Sequence, residues 1–210
     1  MERAKRRILI CGFEPFPGVP KNPSAQVARR LAGLARPALA DTERHVEILP
    51  TRWAALDRAE ARIHALKPDV ILLLGVASRR RVVCVESRAV NAAGSFPDAS
   101  GAAMTSRKLS EGPAEIRSRA DLPRLLAALR TAGLPAALSR DAGRYLCNGL
   151  YYRVLALTAG RDVPVVFIHL PGGPGTRGRA WEDRLVYGFG EGLVAVSGRL
   201  SARGGAAWGE

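Results

Sequence analysis

Apolar positions along the chain fall into short unbroken runs that alternate with stretches of helical spacing. Arg6 to Cys11 reads as a short buried strand, and the Gly12-Phe13-Glu14-Pro15-Phe16-Pro17-Gly18 segment behind it is a loop, because its prolines and glycines forbid regular structure. Asn22-Pro23 then signals a helix: Asn22 is placed to cap it, Pro23 suits its first turn, and Val27, Leu31 and Leu34 follow at helical spacing. Val46 to Leu49 reads as a second strand. A helix is expected from about Ala54 to Leu66, with Leu56, Ile63 and Leu66 inward and Arg58, Glu60 and Arg62 outward. Val70 to Leu74 has no polar interruption, which is how a central parallel strand covered on both faces reads.

Val82 to Val90 alternates apolar and polar residues and suggests a hairpin. Asn91 to Gly112, rich in small residues, reads as an excursion over the surface. Helices are expected over Leu122 to Leu129, Tyr145 to Leu157 and Trp181 to Leu200, and strands over Ala136 to Ser139 and Val163 to His169. Strands alternating with helices predict a three-layer α/β/α sandwich with a mostly parallel, twisted sheet. One domain spanning 1–210 is expected, with a flexible tail over 201–210. In such sheets functional groups gather beyond the carboxyl ends of the strands, where His169 and the residues after Gly12 and Gly75 fall.

Composition narrows the function classes. A chain of 210 residues that is 47% hydrophobic buries a continuous core. The basic segment Met1 to Arg7 is followed by too short an apolar run for a signal peptide, and no run approaches the roughly 20 apolar residues of a membrane span, so a cytoplasmic protein without a membrane partner is expected. Three widely spaced cysteines, Cys11, Cys84 and Cys147, make no disulfide framework. The net charge of +13 raises a nucleic-acid partner. Against it, the positive residues are scattered and mostly Arg, clustering only at Arg79-Arg80-Arg81 and the N-terminus, with no zinc-finger or RNP pattern beside them; a solvated basic surface is the expectation.

Three residues invite chemistry. Cys147 follows the turn Asp141-Ala142-Gly143-Arg144 and opens a helix, where the positive end of the helix dipole favours a thiolate. By position alone the commoner role of such a cysteine is a small buried hydrophobe. His169 closes an apolar strand just before Pro171; it suits an acid–base group and equally a core histidine bonded to a carbonyl. Glu86 belongs on a solvent face or beside that histidine, and spacing does not choose between them. No His/Cys cluster has metal-ligand spacing, so no metal or cofactor is expected. Gly172-Gly173-Pro174-Gly175 lacks the Lys-Ser/Thr of a phosphate loop.

Taken together, five segments in order resemble the pyroglutamyl peptidase I (pyrrolidone-carboxylate peptidase) family of cysteine peptidases. They are Gly12-Phe13-Glu14-Pro15-Phe16 with Asn22-Pro23; the strand from Pro68-Asp69 to Gly75 with Arg80; Glu86 with Ala89-Val90-Asn91 and Pro97-Asp98; Ala142-Gly143 with Tyr145-Leu146-Cys147-Asn148; and Phe167-Ile168-His169 with Pro171. The resemblance implies a phosphorylase/hydrolase-like sandwich and a triad of Cys147, His169 and Glu86 that removes N-terminal pyroglutamate from peptides, without a cofactor. It also implies Phe13 and Phe16 as aromatic walls around the flat lactam ring, substrate contacts at Gly75, Val76 and Arg80, and a homotetramer. The chain departs from the family pattern at Val76-Ala77-Ser78-Arg79, where a Gln or Leu and a glycine pair are usual, and at Ser95-Phe96, where an Arg is usual. These departures keep two other readings in view: a thiol amidohydrolase with a different small N-acyl substrate, and a non-catalytic basic binding protein.

Overall fold

Long aliphatic runs become the middle of a six-stranded sheet. The computed structural model describes residues 5–16, 21–172, 178–197 and 208. In chain order these form β1 (Arg6–Phe13), α1 (Pro23–Ala32), a 3-10 turn (Pro37–Leu39), β2 (Thr42–Leu49), α2 (Ala55–Leu66), β3 (Val70–Ala77), β4 (Val83–Glu86), β5 (Arg88–Val90), β6 (Glu115–Arg117), α3 (Leu122–Thr131), β7 (Ala136–Ser139), α4 (Leu146–Leu157), β8 (Val165–Pro171) and α5 (Arg179–Ser197). The main sheet runs β2-β1-β3-β8-β4-β7. Strands β2, β1, β3 and β8 are mutually parallel, whereas β4 is antiparallel to β8 and carries β7 parallel to itself.

Alternation along the central strands explains the layers. Leu9, Cys11, Ile71, Leu73, Val165 and Phe167 face one way and pack under α2 and α4, through Leu56, Ile63, Leu150 and Val154. Their neighbours Ile8, Ile10, Val70, Leu72, Val166 and Ile168 face the other way, under α1, α3 and α5. Because both faces are covered, these strands carry no polar alternation. The helix signal at Asn22-Pro23 holds: Asn22 Oδ1 accepts from Ser24 N at 3.1 Å with Pro23 in the first turn of α1; α3 has a cap of the same kind in Asp121, which accepts from Arg124 N at 3.2 Å.

The expected hairpin over Val82–Val90 is not one. At Ser87 the amide and hydroxyl both turn onto the Ser139 carbonyl, at 2.7 and 2.8 Å, which ends pairing with β7 and swings the chain out of the sheet. The next strand, β5, pairs instead with β6 in a separate two-stranded ribbon. That partner, Glu-Ile-Arg, is too short to show a pattern. Strand β2 starts at Thr42, ahead of the expected Val46, and so takes in His45. The tail expected to be flexible lies outside the described residues apart from Trp208, which is buried and donates from Nε1 to the Pro68 carbonyl at 2.9 Å. Among the described residues no helix is long and apolar enough to cross a membrane.

Candidate active site

The turn before α4 is shaped by its own residues. Asp141 Oδ1 accepts from Gly143 N at 2.9 Å, and Gly143 takes φ +80°, a conformation that favours glycine. Arg80 then ties this turn to the sheet: Nη2 donates to the Asp141 carbonyl at 2.8 Å and to Ser139 Oγ at 3.3 Å, and Nη1 reaches Cys84 Sγ at 3.5 Å. On the other side Tyr145 donates its hydroxyl to the Pro97 carbonyl at 3.0 Å. Held between these ties, α4 starts at Leu146 and puts Cys147, partly exposed, in its first turn. Tyr145 supplies no side-chain cap, and Gly149 N, bonded to the Tyr145 carbonyl at 2.9 Å, is the first amide of the helix to be satisfied. The Leu146, Cys147 and Asn148 amides therefore have no acceptor among the described residues, which makes this helix end receptive to negative charge.

His169 reaches the same place from the sheet. It sits on β8 between Gly75 of β3 and Cys84 of β4, and is 5% exposed. Since β4 runs against β8, Glu86 lies opposite Phe167, and its side chain crosses diagonally to the ring two residues on. Glu86 Oε1 stands 2.8 Å from His169 Nδ1, and the carboxylate is fully buried. Oε2 has no hydrogen-bond partner among the described residues. With Nδ1 on Glu86, Nε2 is left for the Cys147 thiol, the ring's other hydrogen-bond partner. Burial disfavours the charged imidazole, yet the hydrogen bonds and negative charge of Cys147 and Glu86 outweigh it and lift the His169 pKa from 6.5 to about 9. Burial pushes the Cys11 and Cys84 thiols up, so both stay protonated; Arg80 offsets only part of this for Cys84.

Gly75 makes the close approach possible. A Cβ there would lie 2.8 Å from Cys147 Sγ and 3.0 Å from Phe167 Cζ, so only glycine leaves room for the sulfur against the sheet. The remaining residues expected around the substrate scatter. Phe13 is buried at the end of β1, in the core cluster that Tyr145 and Cys147 border; Phe16 is half-buried, three residues past the end of β1. Strand alternation turns the Val76 side chain to the opposite face, with Leu170, and leaves its backbone for the expected substrate contact. Arg80 has its guanidinium engaged in the loop ties described above. Arg88 is taken up by Glu115 and the Arg140 carbonyl.

Three supporting residues carried no assigned role in the sequence. Tyr151, one helical turn past Cys147 and on its face of α4, donates its hydroxyl to the Glu86 carbonyl at 2.9 Å, and burial raises its pKa. Phe167 stacks tilted against both Tyr151 and His169, with centroids 5.4 and 4.8 Å apart, and fixes the imidazole plane. Asn148 fastens β5 to α4 by accepting from Val90 N at 2.9 Å and donating to the Val90 and Ala92 carbonyls at 2.8 and 3.0 Å. A polar residue inside an apolar helical stretch was the available signal for Asn148, since a buried amide demands partners. No group of His, Cys, Asp and Glu among the described residues has the arrangement to hold a metal ion.

Comparison with known proteins adds three findings. A family model described as pyroglutamyl peptidase matches residues 6–177. Pyrrolidone-carboxylate peptidases from Chromobacterium violaceum and Bacillus subtilis are 36% and 33% identical to the chain over 169 and 176 residues, covering 79% and 80% of it and 78% and 79% of their own lengths. A crystal structure of Bacillus amyloliquefaciens pyroglutamyl peptidase I superposes with a TM-score of 0.82 at 26% identity, over 92% of this chain and 98% of that one. A mutant pyrrolidone carboxyl peptidase from the hyperthermophile Pyrococcus furiosus gives the same TM-score and identity over 92% and 99%.

Proposed function

The chain belongs to the pyroglutamyl peptidase family of cysteine peptidases, and from that membership we propose that Cys147, His169 and Glu86 are the nucleophile, acid–base and orienting carboxylate that release N-terminal pyroglutamate from peptides. The observation that carries this reading is the fully buried Glu86 carboxylate 2.8 Å from His169 Nδ1, on a ring whose other partner is the Cys147 thiol at the open start of α4. A ring with a pKa of about 9 holds its proton at neutral pH, ready for a leaving amine.

The Cys147 thiolate attacks the pyroglutamyl carbonyl carbon, and the oxygen that gains charge is held by the free amides of Leu146, Cys147 and Asn148. As the C–N bond breaks, the His169 imidazolium passes its proton to the departing amine, leaving a thioester on Cys147 and a neutral ring. Water then attacks the thioester, His169 takes the water's proton, and sulfur leaves as thiolate, with the imidazolium restored. Glu86 holds the tautomer and the charge throughout. The lactam carries no charged amine, so its selection rests on ring fit beside Phe13 and Phe16 and on hydrogen bonds to its N–H and C=O. We take the whole chain as one peptidase unit acting in the reducing cytoplasm, where the Cys147 thiol stays free. A homotetramer is carried over from the family resemblance.

Hydrolysis of a pyroglutamyl-amide reporter tests the reading. Wild type is expected to turn it over and to be silenced by thiol alkylation, and Cys147→Ala to fall to background. Turnover by Cys147→Ala would end the assignment of the nucleophile. Inert reporter with cleavage of another N-acyl amide would transfer the site to a different acyl group, a reading that the altered Val76–Arg79 stretch favours.

A further inference from the structure

The mouth of the site carries arginines with nothing to hold. Arg79 and Arg81 flank Arg80 in the loop after β3, both exposed. Arg144, also exposed, stands three residues ahead of Cys147, and its carbonyl accepts from Gly94 N at 2.6 Å. Exposed Arg52 precedes Trp53, whose ring meets Tyr145 edge-on at 5.7 Å, next to the start of α4. The Arg80 tie to the Asp141 carbonyl draws the β3 loop and the turn before α4 into one rim. Side chains of Arg52, Arg79, Arg81 and Arg144 make no ion pair or hydrogen bond to any described residue, whereas Arg30, Arg36, Arg58 and Arg153 elsewhere are paired with carboxylates. The acids at this end oppose them weakly. Asp98 is buried, holding the amides of Trp53, Ser100 and Ala102; Asp141 holds Gly143 N; Glu14 is exposed, and its carboxylate has no such bond to a described residue.

A rim of one sign raises the local concentration of oppositely charged ligands and orients them on approach. The pyroglutamyl ring is uncharged and feels little of that field. The part of the substrate that crosses the rim is the leaving peptide. Resting on the reading of the site given above, we propose that the preferred substrates are pyroglutamyl peptides with acidic residues directly after the lactam, their carboxylates meeting Arg79, Arg81, Arg144 and Arg52 while Cys147 attacks. The proposal gives a local use to part of a net charge of +13 that the chemistry of the triad does not need.

The test compares three peptides, pyroglutamyl-Glu-Glu-amide, pyroglutamyl-Gln-Gln-amide and pyroglutamyl-Lys-Lys-amide, which differ in charge at similar size. In about 20 mM salt, kcat/KM is expected to rank Glu over Gln over Lys, with Glu ahead of Gln by roughly threefold to thirtyfold, the effect of two exposed ion pairs. In about 0.5 M salt the spread should shrink, because the screening length falls below the reach of the rim. The double variant Arg79→Ser/Arg144→Ser should bring the Glu-to-Gln ratio toward one. A misfolded variant would lose all three substrates in proportion and keep the ratio, so Arg52→Ser/Arg81→Ser provides a second reading of the same quantity. Equal kcat/KM on the Glu and Gln peptides in wild type overturns the proposal. So does single-stranded DNA binding that Arg144→Ser abolishes while that ratio stands at one, which would assign the rim to nucleic acid. Failure to cleave any of the three, or the neutral reporter, would instead overturn the pyroglutamyl reading itself.

Discussion

Gly75→Ala places one methyl group where the catalytic sulfur rests. The added Cβ would stand 2.8 Å from Cys147 Sγ, and 3.0 and 3.2 Å from Phe167 Cζ and Cε1. Non-bonded heavy atoms settle at about 3.5–4.0 Å, so something must move by roughly 1 Å. Phe167 is fully buried and wedged between Tyr151 and His169, and the cheaper motion is that of the partly exposed sulfur. A misplacement of about 1 Å costs on the order of 100-fold in rate, and overpacking costs about 1–3 kcal/mol of stability. Each kcal/mol lowers Tm by about 2–4 °C in a chain of this size. The assays are kcat/KM on the pyroglutamyl-amide reporter, the iodoacetamide inactivation rate and a thermal melt. A Tm lowered by about 2–12 °C with kcat/KM down by about 100-fold and slowed, less pH-dependent alkylation is the expected result. An alanine variant within about threefold of wild-type kcat/KM would refute the claim that sulfur, glycine and imidazole share this confined space.

Other predictions rest on the same contacts. The His169 pKa rises from 6.5 to about 9 on folding, so the native state prefers the protonated ring: its stabilising effect is complete below pH 6.5 and is lost as pH climbs through about 9. Activity should share that alkaline limb, since the imidazolium donates to the leaving amine; a profile flat through pH 10 would contradict it. Glu86→Gln keeps the shape and removes the charge, and should lower kcat by about 100-fold or more and move the alkaline limb downward, which a pH–rate profile reads directly. Asn148→Ala strips three hydrogen bonds from the Val90–Ala92 junction and should cost about 2–4 kcal/mol in a urea melt, with Asn148→Asp recovering only the one it accepts.

Much of this architecture was legible in the residue pattern, for a physical reason. Strands covered on both faces must be aliphatic throughout, so β1, β3 and β8 announce themselves, and Asn22-Pro23 marks the start of α1 by the donor it satisfies and the donor it lacks. The direction of β4 was not legible. Nothing in Val-Cys-Val-Glu says which way a strand runs, and only its pairing against β8 turns Glu86 toward the ring. Its burial was equally hidden, because alternation gives two faces without saying that both are covered: Val83 and Val85 face α3 and α5, while the Glu86 carboxylate meets His169. Cys147 and His169 stood out by position, yet their meeting depends on the space left at Gly75 and on the Arg80 tie, contacts between residues far apart in sequence. The contact expected at Val76 falls to its backbone, because alternation along β3 turns the side chain away.

The reversed β4 separates how firmly the parts of the triad are anchored. Glu86 and His169 come from adjacent strands, so their spacing is a property of the backbone ladder and lasts as long as the sheet does. Cys147 arrives on a helix placed by side-chain contacts, the core packing of Leu150 and Val154 with an arginine clamp and an asparagine clip, and not by the ladder. The acid–base couple is thus written into backbone pairing, whereas the sulfur is delivered to it by side chains from another layer of the molecule.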